Sequence, residues 1–145
     1  MPILNYTTQV EPEKSIAEIT GLLTRFGARS ITTEYDDDGF VSGITFIIMI
    51  EMRPLAIKLP VNVDGVHSTL RMVKAVPNRN KTQAQARRVA WRILKDWLEA
   101  QLALFQVGQA EAGQVLMPYA VDSEGRTAYQ MFRESHIKQL PAATE

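Results

Sequence analysis

Apolar residues Ile16, Ile19, Leu22, Leu23 and Phe26 recur at helical spacing, which predicts a first helix over Pro12 to Phe26. Pro12 suits the first turn, Glu11 and Glu13 complement the positive end of the dipole, and Gly27 supplies the stop. From Ser30 the period changes to two, with Ile31, Thr33 and Tyr35 on one face of a strand ending at Tyr35. Asp36-Asp37-Asp38-Gly39 reads as a turn, since Asp bonds its local backbone and Gly permits positive φ. A long second strand follows from Phe40 to Met52. Phe40, Ile44, Phe46, Ile48 and Ile50 share one face, and Val41, Thr45, Ile47 and Met49 the other. Two largely apolar faces predict a central position in the sheet. Pro54 to Val61 reads as a third strand, with prolines at both ends that suit an edge. The economical arrangement is an antiparallel meander.

Residues 62–81 are less regular: a short helix over Val66 to Ala75 fits, within what reads as a flexible basic loop. Thr82 to about Gln106 is the strongest pattern, with Thr82 as N-cap, no interrupting Gly or Pro, and Gly108 as the stop. At ~100° per residue, Ala86, Ala90, Ile93, Leu94, Trp97, Leu98, Leu104 and Phe105 form one apolar arc. Lys81, Arg88, Arg92 and Lys95 form a narrow stripe opposite, with Arg87 and Trp91 at the arc's margin. A short helix over Ala110 to Met117, an extended Tyr119 to Val121, a turn at 122–125 and a terminal helix over Thr127 to Lys138 complete the chain, with a frayed tail at 141–145. The expectation is one α+β domain spanning 1–145, its long amphipathic helix and shorter helices packed on one face of a three-stranded sheet.

Composition bounds this picture. With 145 residues, 46% hydrophobic and 22% charged, the chain suits a soluble domain with a real core. No apolar run approaches the roughly 20 residues of a membrane span, and the N-terminus has no basic start or small-residue cleavage pattern. The absence of cysteine excludes disulfide scaffolds and thiol chemistry and fits a cytoplasmic setting.

Charge changes the picture most. The net charge is zero, yet Arg53 to Lys95 holds ten of the sixteen basic residues and one acid, Asp64. That segment is formally +9, between ends of −5 and −4. Segregation of this kind sets a local field that selects partners. Arg79, Lys81, Arg88, Arg92 and Lys95 are the candidate contacts to a nucleic acid or other polyanion, with Arg71, Lys74 and Trp91 as further candidates. Trp91 could stack on a base or pack in the core. The stripe could equally be a solvated helix face, because Arg92–Asp96 and Lys95–Glu99 are i,i+4 pairs.

Other chemistry is thinly represented. Counting from Asp36, the twelfth position of a calcium loop is Ile47, which fails the pattern. His67 and His136 have no ligand-spaced neighbours. Ser123 or Ser135 with His136 and Asp122 has triad ingredients without a nucleophile elbow. No phosphate-binding glycine loop is present, and Gly125-Arg126-Thr127 reads as a helix cap. A metal-dependent hydrolase would have to draw on Glu34, Asp36, Asp38 and Glu51. No catalytic residue, metal ligand or cofactor is expected.

SIAEITGLLTRFGA at 15–28, the strand ending IKLP at 57–60, ARRVAWRILKDWLEAQLALFQVG at 86–108 and the D-x-x-G-R-T turn at 122–127 together resemble small accessory proteins carried by bacteriophages, prophages and integrative elements. The resemblance implies a role near replication or recombination, or against a host complex, and brings no catalytic residues. The leading expectation is a non-enzymatic protein that binds single-stranded or structured nucleic acid through its basic middle. The alternative is a protein-interaction module, meeting an acidic or nucleic-acid-binding protein or another copy of itself.

Overall fold

The computed structural model describes residues 2–144, and its elements are α1 Pro12–Phe26, β1 Ser30–Tyr35, β2 Val41–Ile50, β3 Arg53–Lys58, α2 Val63–Met72, α3 Gln83–Gln106, α4 Ala112–Leu116 and α5 Ala128–Ser135. The chain is an α+β protein with the helices on one face of an antiparallel meander ordered β1-β2-β3. Helix α1 has the bounds its periodicity predicts. It stops because Gly27, at φ 106°, turns left-handed and donates its N–H to the carbonyls of Leu23 and Thr24.

Strand β2 is central, as its two apolar rows imply. Only one row is covered: Ile44, Phe46, Ile48 and Ile50 are buried with Ile57 beneath the helices, whereas Ile47 and Met49 are 36% and 44% exposed on the open face. Phe40, expected in the covered row, lies before the strand and is exposed. The strand ends two residues short of the predicted Met52. Glu51 and Met52 both adopt positive φ, 50° and 65°, and so form the two-residue link of the hairpin. Strand β3 is at one edge, with Pro54 in it. Part of that edge is covered, since Ala120 bridges Ile57 and the Val121 N–H donates to the Ala56 carbonyl at 2.8 Å.

Helix α3 starts where Thr82 Oγ1 accepts the Gln85 N–H at 3.1 Å. Its buried side is rotated from the predicted arc. Trp91, placed at the margin by projection, is 1% exposed at the centre of the core with Leu94 and Leu98, while Ile93, Trp97, Leu104 and Phe105 are half-buried. The rotation arises because α3 packs against α1 and α2 as well as over the sheet, so a single opposite face no longer exists.

Residues 62–81, expected as a flexible loop around a short helix, are ordered differently. Helix α2 begins three residues earlier than predicted because the Asn62 side chain accepts the Gly65 N–H at 2.9 Å. A 3-10 turn follows at Asn78–Asn80. Leu70 and Val76 are buried with Ala86 of α3, and Ile3, Tyr6, Val66 and Val73 pack around them in a second apolar cluster. Burial of those side chains is what holds the segment.

Gln85 ties the N-terminal residues to this cluster. It is 6% exposed, and its Nε2 donates to the carbonyls of Tyr6 and Thr8, both at 2.9 Å. Gln85→Leu takes this donor from the Thr8 carbonyl and leaves the Tyr6 carbonyl only Asn80 Nδ2 at 3.4 Å, and it is expected to cost about 1–3 kcal/mol. A lowered urea midpoint at unchanged slope, with faster hydrogen exchange at the Tyr6 and Thr8 amides, checks it.

The C-terminal part follows its prediction in outline. Helix α5 is capped by a Thr127/Gln130 box but stops at Ser135, and a 3-10 turn covers Ile137–Gln139. Residues 141–144 of the expected frayed tail are exposed and have no regular structure, and Glu145 lies outside the described residues.

Candidate functional site

The basic stripe on α3 faces another helix. Helices α1 and α3 lie side by side and run in the same direction, with Glu11 beside Arg88, Ser15 and Glu18 beside Arg92, and Phe26 beside Phe105. Arg88 Nε donates to Glu11 Oε1 at 2.9 Å. Arg92 Nη1 donates to Glu18 Oε2 at 2.8 Å and to the buried Ser15 hydroxyl at 3.3 Å. Lys95 Nζ lies 3.0 Å from Glu99, 3.8 Å from Asp96 and 3.9 Å from Glu18. The Arg92 and Lys95 side chains are only 17% and 12% exposed. Three of the five leading candidates therefore already have carboxylate partners, two contributed by the acidic N-terminal segment.

The candidates in 71–81 are placed otherwise. Arg71, Lys74 and Arg79 are exposed and Lys81 is half-buried. Among the described residues none of the four has a carboxylate within 4.0 Å, whereas Lys58, Arg88, Arg92, Lys95 and Arg126 each do. They belong to one corner. His67 Nε2 meets the Lys81 carbonyl at 3.0 Å and so folds the turn back onto α2, one helical turn before Arg71. Arg87 stands apart, its guanidinium carbon 3.7 Å from the centre of the Phe40 ring.

Trp91 requires a correction as a stacking candidate. A ring that is 1% exposed in the core has no face to offer a base.

The remaining constellations resolve into local structure. Asp36 Oδ1 accepts the N–H groups of Asp38 and Phe40, which closes the β1–β2 turn. Glu34 reaches Thr45 and Lys58 across the open sheet face. No cluster of three or more His, Asp or Glu side chains suited to a metal occurs among the described residues. Ser135 Oγ is 2.6 Å from Nδ1 of the adjacent His136, but Asp122 serves its own turn. The Arg126 N–H above all, then the Glu124 N–H and the Arg126 side chain, hold the Asp122 carboxyl below the usual carboxylate range. Arg126 is paired with Asp122 and Glu124.

Sequence reasoning missed Glu11 and Glu18 as partners of the stripe. The signal was present: Glu11, Ser15 and Glu18 repeat the spacing of Arg88, Arg92 and Lys95, so two matching helical stripes carry complementary chemistry. Among the described residues no helix is long and apolar enough to cross a membrane. Compared with known proteins, the chain matches no family model, no curated protein sequence and no solved structure.

Proposed function

We propose that this is a non-enzymatic accessory protein, of the kind its resemblance to mobile-element proteins implies, that binds nucleic acid electrostatically through the corner formed by the end of α2 and the following turn. The observation that carries the reading is the unequal treatment of the ten central cations. Lys58, Arg88, Arg92 and Lys95 have carboxylate partners within the chain; of the six that have none among the described residues, Arg53 and Arg87 stand apart, at the β2–β3 hairpin and over Phe40, while Arg71, Lys74, Arg79 and Lys81 lie together at the end of α2 and the following turn. An anionic backbone is a suitable counterpart, because each phosphate neutralised by a cation releases condensed counterions. The contact is a charge contact without base stacking, so it favours no sequence.

The expected behaviour is a linear fall of log affinity with log salt, with a slope of about −2.8 for four phosphates of a single strand. Lys74→Glu with Arg79→Glu is expected to abolish binding and leave the melting temperature unchanged, since neither side chain supports the core. Fluorescence anisotropy of a labelled oligonucleotide over a salt series measures both. No binding at low salt, or a salt-independent affinity, would refute the proposal.

A further inference from the structure

We propose that β1 is an interface between two copies of this chain, which join antiparallel about a two-fold axis at Thr32 and extend the three-stranded sheet into a six-stranded one. The two edges of the sheet are treated differently. The β3 edge carries Pro54 and is partly covered by Ala120 and Val121. Strand β1 has β2 as its only strand partner among the described residues, and Ser30, Thr32, Glu34 and Tyr35 are exposed. Edge strands are usually blunted by proline, charged side chains (lysine above all), a bulge or shortness, and Glu34 is the one charge on β1. Ser-Ile-Thr-Thr-Glu-Tyr is six residues long, has no proline or lysine and is rich in strand-forming side chains. The irregularity at Glu34/Tyr35 falls at its very end. Four successive pairs from Ser30 to Thr33 remain regular and offer a flat template.

The occupant is a second copy because the strand is complementary to itself. A two-fold axis normal to the sheet must pair residues of the same face. Ser30, Thr32 and Glu34 share the open face, since they stand opposite Ile47, Thr45 and Gly43. Centring on Thr32 sets Thr32 against Thr32 of the second copy, Ser30 against Glu34, and Ile31 against Thr33. The hydroxyl of Ser30 can then donate to the Glu34 carboxylate. Every such pair occurs twice, as in any isologous interface. A strand from an unrelated protein would need to reproduce this order of hydroxyl and acid groups.

The test uses the full chain, whose lack of cysteine makes a single introduced thiol unambiguous. Light scattering after gel filtration is expected to give twice the 16.3 kDa chain mass. Thr32→Lys sets two ammonium groups against each other on the axis and is expected to halve that mass, with the circular dichroism spectrum and melting temperature showing that the monomer is folded. Independently, Thr32→Cys is expected to give an interchain disulfide on a non-reducing gel, and the control Ser123→Cys is not. A wild-type monomer at tens of micromolar, or a dimer that survives Thr32→Lys and gives no cross-link through position 32, overturns the proposal.

Discussion

Trp91→Ala is expected to lower the unfolding free energy by about 3–5 kcal/mol, the largest loss among the substitutions considered. Trp91 is the largest fully buried side chain. It belongs to the core cluster with Ile19 and Leu23 of α1, the inward row of β2, Ile57 of β3 and Leu116 of α4. Removing the indole both forfeits its transfer free energy and leaves a void that rigid neighbours on several elements refill only in part. A base-stacking tryptophan would be exposed, and its truncation would cost little stability. Urea denaturation discriminates the two: a midpoint unchanged by Trp91→Ala would return the ring to the surface.

Arg92→Met is expected to cost roughly 1–3 kcal/mol, although it keeps most of the aliphatic stem. The loss comes from Glu18, from Asp96 at 4.0 Å and from the Ser15 hydroxyl, which is 0% exposed and loses its Arg92 donor. Glu18 remains 33% exposed and still has Lys95 at 3.9 Å, so water and a second cation offset part of the loss. The cost therefore falls below the roughly 3–5 kcal/mol of a broken, fully buried ion pair. A double-mutant cycle with Glu18→Gln is expected to return a coupling of about 1 kcal/mol, at the top of the usual range for exposed pairs. A coupling near zero would mean that Arg92 is a surface cation after all.

Much of the fold was legible because its boundaries are written in local chemistry. Pro12 and Gly27 punctuate α1, the Asp36–Gly39 turn separates β1 from β2, and Thr82 opens α3. Each acts through its own backbone and needs no distant partner. The β2–β3 pairing was foreseen, but the end of β2 was placed two residues late because the turn lacks such punctuation. A type I′ link favours Asn-Gly, and here Glu51 and Met52 take the positive φ angles instead. The meander's pairing enforces a conformation that local preference opposes.

The candidate site was legible only as a charge count. Projection placed Arg88, Arg92 and Lys95 together correctly but added Lys81, which precedes α3 and belongs to the corner with α2, and it treats the side opposite an apolar arc as water. Here that side is partly a second helix, which carries its own matching carboxylates. Which cations remain without partners is a tertiary property. Arg92 has one partner legible in sequence, Asp96 at i+4, but the Glu11 and Glu18 carboxylates that distinguish Arg88 and Arg92 from Arg71 and Arg79 come from α1 and its N-terminal flank.

The pairing of α1 with α3 also bears on how the chain finds its structure. The hydrogen bonds that join the two helices span 74 to 77 residues, with the whole meander looped out between them. Closing such a loop is entropically costly and slow in a neutral chain. In this chain the first 52 residues carry the excess acid and the next 43 the excess base, so the unfolded ensemble attracts itself across that loop. The attraction acts over about 8 Å at physiological ionic strength, ahead of any specific contact. The same segregation that leaves one corner charged in the finished protein is thus expected to favour helix docking once the two segments come near each other, and added salt to weaken that attraction before it weakens the core.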